Sequence, residues 1–161
     1  MTIYLIIIIT IILILLLLPY TNENKSKNKS NINYNNYYKK DKIMTNTEIK
    51  FYNELIKETN SMNLKVFPQV DLERIINVKD KNMADRNRIK SRCIDFTIVD
   101  NNYNIICCIE LDDYTHNRND RIKRDIFINE LFKNVNLKLI RVKVGNYNFE
   151  NISKEIKEAI N

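Results

Sequence analysis

Asp95, Glu110 and Asp112 are the residues whose types and spacing suggest chemistry. They interrupt two apolar runs, Ile94-Asp95-Phe96 and Ile109-Glu110-Leu111-Asp112. If these runs pair as neighbouring strands, Asp95 falls opposite Glu110 or one step from it, and Asp112 lies two residues further on the same face. Like charges directly across a strand pair are destabilising, so a fold that keeps them there holds a cation or raises the pKa of one carboxyl. A hard divalent cation is the natural partner. Magnesium takes one or two carboxylates, completing its octahedron with waters and substrate phosphate oxygens. Such an ion activates water and neutralises charge on a phosphodiester during in-line attack, and manganese would serve in its place. Asp113 reads more simply as the residue that ends the strand.

Basic residues and the single histidine surround this cluster. His116, four residues beyond Asp112, is a candidate general acid or base. Arg118, Arg121, Lys123 and Arg124 follow it, while Arg86, Arg88, Lys90 and Arg92 precede Asp95. Arg121, Lys123, Arg124 and Lys90 are the candidates for nucleic-acid contact through phosphates, against the blander reading of solvated charge on loop and helix faces. Glu48, three residues after Thr45, has the spacing of its partner in a capping box. Asp125 and Arg141 are expected to pair internally.

The elements that must position these groups can be read from periodicity. Ile49, Tyr52, Leu55, Ile56 and Thr59 recur at helical intervals, predicting a helix over Asn46 to Asn60. Lys65 to Leu72 reads as a strand, with Pro68 pointing to an edge or a bulge. Asp80 to Lys90 is charged and lacks periodicity, which predicts a loop. Arg92 to Asp100 alternates with Ile94, Phe96 and Ile98 on one face; Asn101 to Asn104 forms a turn, and Ile105 to Asp112 returns as the second arm of a hairpin. Phe127, Leu131 and Val135, with Ile122 and Ile126 alongside, predict a helix over Arg121 to Val135. Leu137 to Val144 is a further strand ended by Gly145, and Ile152, Ile156 and Ile160 mark a closing helix capped by Asn148. The order is α-β-β-β-α-β-α, with no internal repeat.

The 161 residues divide into a hydrophobic stretch over 1–20, a polar Asn/Lys-rich linker over 21–44 and one domain over 45–161. The net charge of +6 is uneven: residues 1–42 hold six Lys against Glu23 and Asp41, leaving 20 basic and 18 acidic residues for the rest. Overall charge therefore says little about nucleic acid, and any basic patch must be local. Cys93, Cys107 and Cys108 are odd in number and form no CxxC pair, arguing against zinc and a disulfide framework and for a reducing compartment.

From Ile3 to Leu18 the chain is apolar except for Tyr4 and Thr10. Only the whole stretch from Met1 to Tyr20 reaches the ~30 Å of a hydrocarbon core, and it is expected to be an uncleaved transmembrane helix. A signal peptide is disfavoured because no basic residue precedes the run and no small-residue cleavage site follows it. Lys25, Lys27 and Lys29 follow it, so the expected arrangement is a single pass with the domain facing the cytoplasm.

The motifs also occur in a recognisable set. Val66-Phe67-Pro68-Gln69-Val70, Ile94-Asp95-Phe96, Ile109-Glu110-Leu111-Asp112-Asp113 with His116, Arg124-Asp125 and Leu139-Ile140-Arg141-Val142 together resemble the family called domain of unknown function 2726. The resemblance covers roughly Glu48 to Val144. That family is placed with the restriction-endonuclease-like, PD-(D/E)XK superfamily. The resemblance implies an α/β fold with a restriction-endonuclease-like core: a small mixed sheet flanked by helices, here preceded by the N-terminal transmembrane helix. It also implies metal binding by Asp95 and Glu110, with Glu48 matching an acid often found on the first helix. The superfamily usually has Lys two residues after the Glu, where this chain has Asp112. An acid followed by His is instead similar to the patch-repair endonuclease branch, which implies metal binding by Asp112 and proton transfer by His116. The expected activity is Mg²⁺- or Mn²⁺-dependent hydrolysis of DNA, with RNA second. The alternatives are a catalytically inactive nuclease-like domain that binds nucleic acid or a protein at the membrane, and a membrane-anchored interaction protein that keeps only the fold.

Overall fold

Capping and alternation together set the elements of the domain. The structure, a computed structural model, describes residues 2–17, 33–112 and 119–160. Thr45 opens α2 (Asn46–Ser61) with a complete capping box: its hydroxyl accepts from the Glu48 N–H, and the Glu48 carboxylate accepts from the Thr45 N–H. Strand β1 (Lys65–Asp71) leads into the short α3 (Leu72–Ile75) and then α4 (Met83–Ile89). The expected loop over Asp80 to Lys90 is therefore largely helical. Asn82 caps α4 by accepting from the N–H groups of Ala84 and Asp85, and Ile89 is the helix's sole buried residue, so no apolar period could reveal it.

Strands β2 (Cys93–Val99) and β3 (Ile105–Asp112) form the expected hairpin, followed by α5 (Asn119–Asn134), β4 (Lys138–Lys143) and α6 (Phe149–Ile160). The sheet order is β1-β2-β3-β4, antiparallel except for the parallel β3–β4 pair. β1 is an edge strand, as Pro68 suggested. The fold is a mixed α/β architecture, a four-stranded mixed sheet flanked by helices.

Each face of the sheet has its own core. Phe51 and Leu55 of α2 and Ile152 and Ile156 of α6 pack with Phe96, Ile98, Ile109 and Ile140. On the other side Leu72, Ile89, Ile128 and Phe132 pack with Cys108. Ile94, expected beside Phe96, belongs to this second cluster. Hydrogen bonds from Leu72 N to Arg92 O and from Arg92 N to Ile89 O bring the α3–α4 segment against the start of β2, and Ile94 packs there. The expected stripe on α5 is also corrected. Ile128 and Phe132 are buried, while Ile122, Ile126 and Val135 are exposed. Phe127 and Leu131 of the expected stripe do pack, half-buried, against the same core as Ile128 and Phe132, so the packed face runs through them and leaves out Ile122, Ile126 and Val135.

The chain splits into two compact units, Met1–Lys39 and Lys40–Asn161. The first contains α1 (Thr2–Leu17), whose side chains from Ile3 to Ile14 are all exposed, and a 3₁₀ turn at Tyr34–Asn36. Among the described residues no helix is long and apolar enough to cross a membrane. At 16 residues α1 is about 24 Å long, short of a ~30 Å hydrocarbon core. The remainder of the expected anchor and the linker over 21–32 lie outside the described residues.

Candidate active site

The hairpin brings Asp95 and Glu110 together. Phe96 pairs with Ile109, so one step further Glu110 stands opposite Asp95. The Asp95 Oδ2 accepts from the Leu111 N–H at 2.8 Å, which ties the two strands at this point. Glu110 is buried, and loss of solvent, followed by repulsion from Asp95, pushes its pKa from 4.5 up to about 8. Arg124 and Arg141 oppose the rise without cancelling it. Asp95 is also raised, first by burial and then by the charge of Glu48, against the lowering effect of the Leu111 N–H. Both carboxyls are therefore biased toward the neutral form, Glu110 the more strongly.

Asp112 lies elsewhere. It is two residues along from Glu110, but its Oδ1 accepts from Arg141 Nη1 at 2.6 Å instead of facing the pair. Arg141 stands beside Glu110 in the parallel β3–β4 register, and its other nitrogens donate to Asn129 at 2.8 Å and Asp125 at 3.5 Å. The expected Asp125–Arg141 pair is thus part of a larger network. Among the described residues no three His, Cys, Asp or Glu side chains converge closely enough to hold a metal. What converges is a pair of carboxylates. Its hard oxygen donors suit a magnesium ion that keeps several waters, and do not form an all-protein cage.

Two clefts adjoin the pair. One, of about 530 Å³, is lined by Asp95, Glu110, Gln69, Lys90, Arg92 and Arg124 among others. The second, of about 320 Å³, is lined by Asp95 and Glu110 with Thr45, Glu48, Leu111 and Arg124. Lys90 and Arg124 thus line a cleft together with the two acids. Glu48, which completes the capping box of α2, also lines the second cleft. Lys123 is exposed on α5 and lines neither cleft. Arg86 and Arg88 pair with Glu73 and Asp85. His116 and Arg118 lie outside the described residues, as does the Arg121 side chain. In a larger cleft of about 810 Å³ beside α6 the Ser153 hydroxyl donates to Glu58.

Sequence reasoning gave no role to Gln69 and placed Arg141 only in an internal pair. Gln69 Nε2 donates to Glu48 Oε1 at 3.2 Å and to Asp95 Oδ1 at 3.4 Å. Its one sequence signal was a polar residue in a strand, which carries no chemistry by itself. Cys107 and Cys108 are buried with pKa values pushed up to about 12 by loss of solvent, while Cys93 is exposed at the start of β2.

The fold and site define a mixed α/β domain that gathers a buried and a half-buried carboxylate beside two polar clefts. The chain belongs to the family described as Protein of unknown function (DUF2726), whose model matches residues 40–160. Neither the curated proteins nor the solved structures contain a match to it.

Proposed function

We propose that this domain is a divalent-cation-dependent phosphodiester hydrolase of restriction-endonuclease-like type acting on nucleic acid, DNA before RNA. The observation that carries the reading is the Asp95–Glu110 pair, two carboxylates opposed across neighbouring strands with a cleft on either side. Asp95 and Glu110 would hold Mg²⁺ or Mn²⁺, and the cation would supply Lewis acidity toward the phosphodiester and a lowered pKa for the attacking water. Such a cation would offset the repulsion by Asp95 that helps push Glu110 toward its neutral form. Lys90 and Arg124 line the clefts and are suited to phosphate oxygens. Glu48 contributes negative charge from the end of α2. His116 is proposed as the proton-transfer group and Asp112 as an auxiliary acid that would first leave Arg141. Arg121 and Lys123 would add phosphate contacts along α5.

A second reading has its own support. Asp112 stands where the superfamily usually has Lys and is engaged by Arg141, which supports reading the domain as one that binds nucleic acid without cutting it. Cleavage assays of single- and double-stranded DNA and of RNA, with Mg²⁺ or Mn²⁺ and then with a chelator, separate the two. The hydrolase cuts at least one of them and stops on chelation; binding without cleavage selects the second reading. Through its exposed apolar helix α1 the protein is proposed to associate with a membrane, its domain on the cytoplasmic side.

A further inference from the structure

We propose that Gln69 is a positioning residue, a single side-chain amide that orients Glu48 and Asp95 for the cation; this rests on the hydrolase reading above. The register places Gln69 between the Pro68–Phe96 and Val70–Ile94 pairs, directly across from Asp95. Its Nε2 lies 3.2 Å from Glu48 Oε1 and 3.4 Å from Asp95 Oδ1. The remaining oxygens are held by backbone: Glu48 Oε2 accepts from the Thr45 N–H at 2.5 Å and Asp95 Oδ2 from the Leu111 N–H at 2.8 Å. Each carboxylate is therefore fixed at both oxygens, once by the main chain and once by the same amide. The two acids come from different elements, α2 and β2, and Gln69 on β1 is the side chain that joins them.

The backbone supports this role. Gln69 has φ of +53° inside a strand, the left-handed region that an unbranched non-glycine residue enters at an energetic cost. Backbone held in such a region collects at functional sites, where the surrounding structure enforces it. The half-buried Gln69 also lines the cleft of about 530 Å³ shared by Asp95, Glu110, Lys90 and Arg124. Outer partners that fix ligating carboxylates typically change metal affinity by about 10-fold to 100-fold when removed.

The test uses the full chain and the substitution Gln69→Met, which keeps the length of the side chain and removes its N–H donors. Gln69→Asn is the second variant: asparagine accepts a left-handed backbone, but its amide is one methylene too short to span the acids. Mn²⁺ affinity is measured by calorimetry, folding by thermal melting, and cleavage as kcat and KM. The expected result is melting close to wild type in at least one variant, Mn²⁺ affinity lowered about 10-fold to 100-fold, and a fall in kcat with KM for DNA little changed. A folded variant that binds Mn²⁺ as wild type does overturns the role of Gln69 and leaves the hydrolase reading standing. If wild type itself binds no Mn²⁺, both fall.

Discussion

Glu110 loses solvent on folding and faces a second carboxylate, and both effects favour its neutral form. With a folded pKa of about 8 against 4.5 unfolded, the native state holds a proton that the unfolded state releases between those values. Stability is therefore expected to fall as pH rises from about 4.5 to about 8, by an amount on the order of a few kcal/mol. Denaturant titrations of the metal-free chain across that window check this, with Glu110→Gln as the comparison. The variant, neutral at every pH, should lack most of the slope; an equal slope in both would place its origin elsewhere. Mg²⁺ should flatten the wild-type curve by taking the proton's place. Asp95 and Glu110 were legible in the sequence because acids inside apolar runs are conspicuous. The orientation of Asp112 was not, since Arg141 is 29 positions away and nothing local announces the pair. Gln69 was hidden for the same reason, its partners lying 21 and 26 positions away.

Between residue and fold, the β2–β3 hairpin makes the site. Near the turn Val99 pairs with Ile105, a register that continued unchanged would set Asp95 against Ile109. An irregularity between Ile98 and Val99 shifts the pairing by one, and Glu110 takes that place. The sequence left both registers open. The turn gave no further help, because Asp100, which accepts from the N–H groups of Asn102 and Asn104, is an ordinary turn residue in composition. Helix α2 was the opposite case, its start marked by Thr45 and Glu48, and there the same Glu48 both caps the helix and faces Gln69. Glu48→Ala is accordingly expected to cost on the order of 0.5–1 kcal/mol of stability, as the Thr45 N–H loses its acceptor, and also to weaken Mn²⁺ binding as the site loses that carboxylate. Chemical denaturation and calorimetry measure the two effects; lost stability with unchanged affinity would confine Glu48 to the cap.

At the scale of the whole molecule, the family match over residues 40–160 coincides with the second compact unit, and the sequence had already separated that domain from an apolar start. The order of strands and main helices followed from alternation and helical spacing and the mixed sheet from the family resemblance, whereas α4 did not follow, because it buries a single residue. An exposed apolar helix favours a membrane, and the intact chain is expected to sediment with membranes and resist carbonate extraction, its C-terminus accessible to protease from the cytoplasmic side. Recovery in the soluble fraction would remove the tether without touching the site. The central claim, that Asp95 and Glu110 hold the cation that drives hydrolysis, is tested most directly by single-turnover cleavage with wild type and Asp95→Asn in Mn²⁺. The substitution preserves the shape of the side chain and removes one ligand charge. The account predicts cutting by wild type that falls at least on the order of 100-fold in the variant, with its melting curve retained. Equal rates in the two proteins, or no cleavage by either, would contradict it.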